Sequence, residues 1–483
     1  MRLGTIRKPA LKLWSTLSRG QVSRTLYGQW GRYALQIASL VVLTRLLPPS
    51  AYGIAAMGAT ITGLATVLSD LGLSLSALRT VNISQQEQSN LFWLNGAIGI
   101  GAGALVLCIA PLAAQFYSSP AVVAYLGAVA MIFPASGFAV QHRVRLQLAG
   151  RVGVLAYGDL AAQASGFAAA VAAALLEGGV GALACAILIP AYVQLLIAVF
   201  SDRWKPSRFN KAGSMAHHLR FGRNSSILQV LNYIGSNIDT VMLGRLQGTT
   251  ATGLYNRAFQ LVSLPIQQIA TPLTRVMLPH MARAIREGRF PEEVQRIQRR
   301  LCWVTLPLLG MLFSCGPTLV STVFGSRWGQ TGSLVQVLAI GGAFQAAGYI
   351  YYWGLLALGR TSLLLLTELP GRALAIVGVV SVAPSGPTAV AQVMSMSYIA
   401  IWCSSTLVLG RVRSANFPNL IKPALAPFIA AVVGAVCTTA LARVLTFHSE
   451  PNLVVVVVQV STWITTTALT AALLRMLILI RSR

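Results

Sequence analysis

The sequence predicts an all-α polytopic membrane protein. It would have about fourteen transmembrane helices, in two pseudo-symmetric six-helix lobes plus two C-terminal helices, with both termini cytoplasmic. Three observations predict this. The chain is 55% hydrophobic and only 10% charged, with a mean hydropathy of +0.68, whereas a soluble protein carries about 25% charged residues. Apolar runs of about 20 residues, the span of a bilayer core, follow one another along the whole length. The chain also repeats itself: Gln29, Tyr33, Leu43, Arg45, Leu46, Ala51 and Gly53 are matched by Gln229, Tyr233, Leu243, Arg245, Leu246, Ala251 and Gly253. A constant offset of about 200 residues is too long for a solenoid unit and marks two homologous halves.

In order, the runs lie near 29–47, 52–76, 91–115, 122–141, 152–175, 178–199, 225–246, 254–279, 301–324, 333–357, 361–382, 387–410, 422–445 and 453–480. They divide the chain into a cytoplasmic or interfacial N-terminal segment (1–28), an N-lobe of six spans (29–200) and a basic cytoplasmic linker (201–224). A C-lobe of six spans (225–410) follows, then two appended spans and the cytoplasmic C-terminus (411–483). In the N-terminal segment Leu3, Ile6, Leu13, Trp14 and Leu17 fall on one helical face, which suits a short interfacial helix. No apolar stretch precedes the first long run, so this segment does not read as a cleaved signal peptide. In the link 280–300, PEEVQRIQRR reads as a surface helix.

The formal net charge of +26 does not indicate a nucleic-acid partner, because the positive residues are not on one patch. They sit in alternate links between the runs: Arg143, Arg145 and Arg151; Arg203 to Arg223; Arg283 to Arg300; Arg411, Arg413 and Lys422. The opposite side carries only Arg45, Arg245, Arg257, Arg327 and Arg443, near span ends. This asymmetry places the basic links in the cytoplasm, and an even number of spans then puts both ends there.

The six cysteines all lie inside apolar runs without metal-ligand or redox spacing, and the five histidines are scattered; no metal site or cofactor is expected. There is no GxxxxGK[ST] loop, no HExxH and no pair of catalytic carboxylates in a soluble loop. We expect no enzyme and no catalytic residue. Energy would come from an ion gradient, the membrane potential or substrate consumption.

Function is carried by polar residues inside the spans. Gln29, Arg32, Gln36 and Ser39 lie three or four apart in the first span, and so share one helical face. Gln229, Asn232, Ser236 and Asp239 do the same in the seventh. Ionisable groups in a bilayer cost about 2.5–3.5 kcal/mol on insertion scales and usually face a cavity or a partner. Arg32, Asp70, Asp159, Asp239, Arg275, Glu368 and Arg372 are such groups. Arg372 lies about 18 Å along the helix from Arg360, too deep to reach the headgroups. It either lines a cavity or simply pairs with Glu368 one turn earlier. Arg32 and Arg275 could instead snorkel to the cytoplasmic surface, and Asp70 and Asp239 could cap helices or bond between them. Asp159 reads as a surface or pairing residue. A cleft lined by arginine suits an anionic ligand, since guanidinium grips phosphate oxygens bidentately and keeps its charge. Arg32, Gln36, Asn232, Arg275 and Arg372 are the candidate cavity residues; Asp70, Asp239 and Glu368 are the candidates for ion coupling.

Several segments resemble those of a known family. They are TRLLPPSAYG at 44–53, SDLGLSLSAL at 69–78, FWLNGAIG at 92–99, APLAAQFYSSP at 110–120, NIDTVMLGRLQGTTATGLYNRAF at 237–259, LPIQQIATPLTRVMLP at 264–279 and FGSRWGQTGSLVQVLAI at 324–340. Each is loose, but in order they are specific, and the last third of the chain adds nothing diagnostic. The chain resembles Wzx-type polysaccharide flippases, of the polysaccharide transporter family within the multidrug/oligosaccharidyl-lipid/polysaccharide exporter superfamily. The resemblance implies a V-shaped pair of lobes with helices 13 and 14 appended. It also implies movement of a polyprenyl diphosphate-linked oligosaccharide from the cytoplasmic to the outer leaflet of the cytoplasmic membrane. Arg32 and Arg275 would be diphosphate contacts. Partners would be that glycolipid, membrane lipids, a glycan polymerase and a chain-length regulator, and the protein would act as a monomer. No sodium-site signature accompanies the resemblance, which leaves the coupling ion open. Multidrug export on the same fold is the alternative, but it favours an acidic, aromatic pocket. A membrane glycan polymerase would need catalytic side chains on a substantial outer loop, and every outer link is short.

Overall fold

A computed structural model describes residues 19–69, 84–176, 179–210, 233–412, 417–448 and 453–481. Among them there are helices and connections but no strand. A bilayer core offers the backbone no partners, so a long run of Leu, Ala, Val and Gly satisfies its own N–H and C=O groups as a helix. Eleven of the described helical segments are long and apolar enough to cross a membrane. The chain divides into two compact units, Met1–Ile234 and Gly235–Arg483.

In the first unit, α1 (Arg19–Leu46) begins well before the expected first span and absorbs the basic turns ahead of Gln29. Next comes α2 (Pro49–Ser69). The helix α3 (Gln85–Tyr117) is started by a capping box. Ser84 Oγ accepts from the Glu87 N–H, and a Glu87 carboxylate oxygen accepts from the Ser84 N–H, which satisfies two orphan donors at once. The fourth expected span is broken into α4 (Ala121–Ala130) and α5 (Ile132–Leu148) at Met131. Pro134 explains the break, because it has no N–H to return to the Ala130 carbonyl. The unit closes with α6 (Val152–Leu176) and α7 (Val180–Asp202). Its core is Met57, Val106, Leu126 and Phe133 with their neighbours. Glycine sets the α3–α5 spacing: a Cβ on Gly99 would lie 2.4 Å from the Phe133 carbonyl oxygen, and one on Gly137 would lie 2.4 Å from that of Asn95. Only paired small residues allow helices to touch backbone to backbone in this way.

The second unit begins within a helix over 233–246 (α8). Then α9 runs over Gly248–Arg286 with Pro265, Pro272 and Pro279 inside it. Seven apart, these prolines share a face, and each leaves the carbonyl four residues earlier without its helical donor. It is followed by α10 (Phe290–Phe324), α11 (Gly329–Ala357), α12 (Thr361–Val382), α13 (Pro387–Val412), α14 (Phe417–His448) and α15 (Leu453–Arg481). Residues 291–300, read from the sequence as a surface helix, are helical and run directly into the following span. They form the first turns of α10, because no breaker separates them from the apolar run. A core around Phe290, Tyr351, Trp353 and Leu409 joins α10, α11 and α13.

Candidate functional site

Four helices of the second unit enclose a cavity of about 550 Å³. Its wall includes Thr271, Thr274 and Arg275 from α9, Phe344, Gln345, Tyr349 and Tyr352 from α11, Glu368 and Arg372 from α12, and Tyr398, Trp402 and Ser405 from α13. Three residues singled out from the sequence, Arg275, Glu368 and Arg372, therefore meet in one space. Local packing puts them there. A Cβ on Gly371 would lie 2.4 Å from the Ser397 carbonyl oxygen, so α12 lies directly on α13 beside Arg372. Trp353 Nε1 donates to Thr274 Oγ1 at 2.8 Å, which ties α11 to the α9 turn that carries Arg275.

The guanidinium of Arg372 donates through Nη1 to Ser236 Oγ on α8 at 2.7 Å, and through Nη2 to Glu368 Oε2 at 3.3 Å. The intrahelical pair expected from the spacing is present, but it is long and uses one carboxylate oxygen. Arg372 Nε and Trp402 Nε1 are buried without an acceptor. Buried donors are nearly always paired, so these two mark a deficit that an acceptor-rich ligand would fill. Arg275 is exposed on the cavity wall, with no ion pair among the described residues. Two guanidiniums against one carboxylate leave a positive surplus.

Asp239 lies elsewhere in the same unit. It is 3% exposed. Its Oδ2 accepts from the Tyr255 hydroxyl at 2.6 Å and its Oδ1 from the Thr240 N–H at 2.7 Å. It bonds α8 to α9 and does not line the cavity. Tyr398, on the cavity wall, is within electrostatic reach of both Asp239 and Arg372.

In the first unit Arg32 stands 3.8 Å from Asp159 with its side chain 47% exposed. Asp159 is gripped more closely by Arg143, at 2.8 Å and 3.3 Å through two nitrogens. Asp159 is thus the pairing residue of an α1–α5–α6 cluster, and Arg32 sits at its edge. Gln36, half-buried one turn further along α1, makes no side-chain hydrogen bond among the described residues. Asp70 and Asn232 lie outside the described residues. A surface cavity of about 590 Å³ near Gly150 and Tyr157 holds a single arginine, Arg151, already bonded to the Ser201 carbonyl.

The aromatic walls of the 550 Å³ cavity, Tyr349, Tyr352, Tyr398 and Trp402, escaped sequence reasoning. Their only signal was aromatic residues at helical spacing within an apolar run, which core packing produces equally well.

Comparison with known proteins fits this geometry. Residues 42–332 match the family described as polysaccharide biosynthesis protein. The chain belongs to that family. The resemblance read from the sequence therefore holds over more than half of the length. Among curated relatives, the teichuronic acid biosynthesis protein TuaB of Bacillus subtilis (strain 168) is 26% identical over 62% of this chain and 62% of its own length. The lipopolysaccharide biosynthesis protein WzxC of Escherichia coli (strain K12) is 23% identical over 65% of this chain and 64% of its own. The matched region thus spans slightly less than two thirds of either relative. Among solved structures, the lipid II flippase MurJ in an inward closed conformation superposes with a TM-score of 0.72, at 12% identity. That match covers 94% of this chain and 100% of MurJ. An inward-facing multidrug resistance MATE transporter superposes with a TM-score of 0.59, at 13% identity, over 81% of this chain and 96% of its own. The chain shares this all-α multi-pass membrane fold.

Proposed function

We propose that the protein is a flippase that carries polyprenyl diphosphate-linked oligosaccharide units across the cytoplasmic membrane for polysaccharide biosynthesis. The single observation that carries the reading is the meeting of Arg275, Glu368 and Arg372 in one aromatic-walled cavity, with two N–H donors left over. A diphosphate is rich in acceptors and suits guanidinium geometry. Family membership and the polysaccharide pathways named for its relatives support the same substrate class.

In this reading fourteen helices span the bilayer with both ends cytoplasmic, as two six-helix lobes and an appended pair, and the protein acts as a monomer. The cavity opens alternately to the two sides. Arg275 recruits the diphosphate, and Arg372 exchanges its Glu368 contact for a phosphate oxygen. Glu368, which holds Arg372 through one carboxylate oxygen, is the first candidate for ion coupling. Arg32 is a further candidate contact for the diphosphate, and Asp239 serves as a second acid for coupling. Chemistry on the glycan belongs to partner enzymes, such as a polymerase with its chain-length regulator.

The test is reconstitution of the full chain in liposomes that contain polyprenyl diphosphate-linked oligosaccharide, with glycan exposure followed by a membrane-impermeant lectin. Expected is protein-dependent appearance of glycan on the opposite leaflet, and no efflux of a cationic dye. Dye efflux without glycolipid movement would establish the multidrug reading instead.

A further inference from the structure

The first unit holds a cavity of different chemistry. It measures about 350 Å³ and no charged side chain lines it. This lies in the range of small-molecule sites, roughly 300–1,000 Å³. Neutral hydrogen-bonding groups reach it from four helices: Thr62 of α2, Asn95 of α3, Tyr125 of α4 and Ser136 of α5. Three of them are unspent. The Asn95 amide, the Tyr125 hydroxyl and the Ser136 hydroxyl have no hydrogen-bond partner among the described residues. Tyr125 is 2% exposed, and its ring is seated on Gly58, where a Cβ would lie 2.4 Å from Tyr125 Cδ1. The ring is clamped, and the hydroxyl meets no protein acceptor among the described residues.

Apart from Thr66, whose hydroxyl donates to the Thr62 carbonyl, the rest of the wall is apolar, with the Phe133 ring beside these groups. A hydrocarbon chain would bury the three polar groups unpaired, and an anion would find no cation. A ligand with hydroxyls along its rim and C–H groups on its faces satisfies both kinds of wall. We propose that this cavity is a subsite for one uncharged sugar residue of the transported glycolipid. This rests on the flippase reading.

The experiment compares two probes on the full chain in detergent: polyprenyl diphosphate carrying one N-acetylhexosamine, and bare polyprenyl diphosphate. Wild type, Asn95→Leu and Tyr125→Phe are titrated with each. In a Ser136→Cys variant, alkylation at position 136 is followed by peptide mass spectrometry. Expected is weakening by about tenfold for the sugar-bearing lipid in either variant, the size of one or two lost hydrogen bonds. Affinity for the bare lipid should not change, and only the sugar-bearing lipid should protect position 136. Equal protection by both lipids would show that a lipid tail fills the cavity and would overturn the proposal. So would unchanged affinities with no protection at all, while leaving the flippase reading standing. If wild type binds neither lipid, the flippase reading itself fails and the sugar subsite falls with it. Ser136 is exposed, so its variant keeps the test open should Asn95→Leu fail to fold.

Discussion

The two units solve the problem of polar groups in an apolar chain in opposite ways. In the first, the strongest charges are tied up: Arg143 grips Asp159 through two nitrogens with Arg32 alongside, and the enclosed cavity nearby is neutral. In the second, the charges line the cavity itself, loosely paired and with donors to spare. A charge held by a close partner serves packing; a charge left short of partners in a cavity is available to a ligand. The contrast teaches that counting arginines in spans does not locate an anion site. What locates it is the partner each arginine already has.

The largest effect should follow removal of Arg372, a half-buried cation whose Nε is buried without an acceptor. Arg372→Ala should weaken diphosphate-lipid binding by about a hundredfold, near 2.7 kcal/mol, at the upper range for a charged hydrogen bond. Arg372→Lys should recover only part of it, because an ammonium cannot bind two oxygens in a plane. Titration with bare polyprenyl diphosphate reads both. Loss no greater than in Arg32→Ala would erase the contrast between the units.

Asp159→Asn should act on stability. It frees two guanidiniums in a partly exposed cluster, so a cost of about 1–2 kcal/mol is expected, seen as a lower melting temperature in detergent. Glycolipid movement per folded molecule should hold. If transport fell and melting did not, Arg143 and Asp159 would act in transport as well as Arg32.

Arg275→Ala should weaken binding by about tenfold, since an exposed cation is screened more and contributes less than a half-buried one. Its effect should shrink with added salt, whereas that of Arg372→Ala should persist.

The smallest effect lies outside both cavities, where α9 meets α10. There Glu293 accepts from His280 and from Arg296. The His280 contact above all, then the charge of Arg296, holds the Glu293 carboxyl below its ordinary range. A carboxyl depressed in the folded state stabilises fully above its unfolded value, about 4.3, and that contribution is lost as pH falls through the folded value. The melting temperature should therefore drop as pH falls through 4.3 and below, and Glu293→Gln should blunt that acid-side drop while lowering stability at neutral pH by well under about 1 kcal/mol.

Much of the fold was legible in the chain. Run length and composition predict helices, and where the expected spans fall on described residues they are helical, the fourth as two helices broken at Met131, because a bilayer-length apolar run has no other way to satisfy its backbone. The errors fall at the ends. The polar turns before Gln29 and at 291–300 extend helices that hydropathy alone would have stopped, because a helix ends at a breaker and not at a change of polarity. The site was half legible. Arg275, Glu368 and Arg372 stood out as charges in apolar runs, and the spacing of the last two foretold their contact.

By itself, then, the sequence determined which segments are helical, how basic residues alternate between links, and that positive charge falls within apolar runs. These follow from transfer free energies, which are properties of composition along the chain. Only the tertiary structure decided which of those charges are spent. Arg32 and Arg372 look alike in sequence, each an arginine among apolar residues. Side-chain contacts from helices remote in the chain, Asp159 on α6 and Ser236 on α8, set how much of each guanidinium is already satisfied. Such partners are chosen by packing and by close approach at glycines such as Gly371, and no local pattern encodes them.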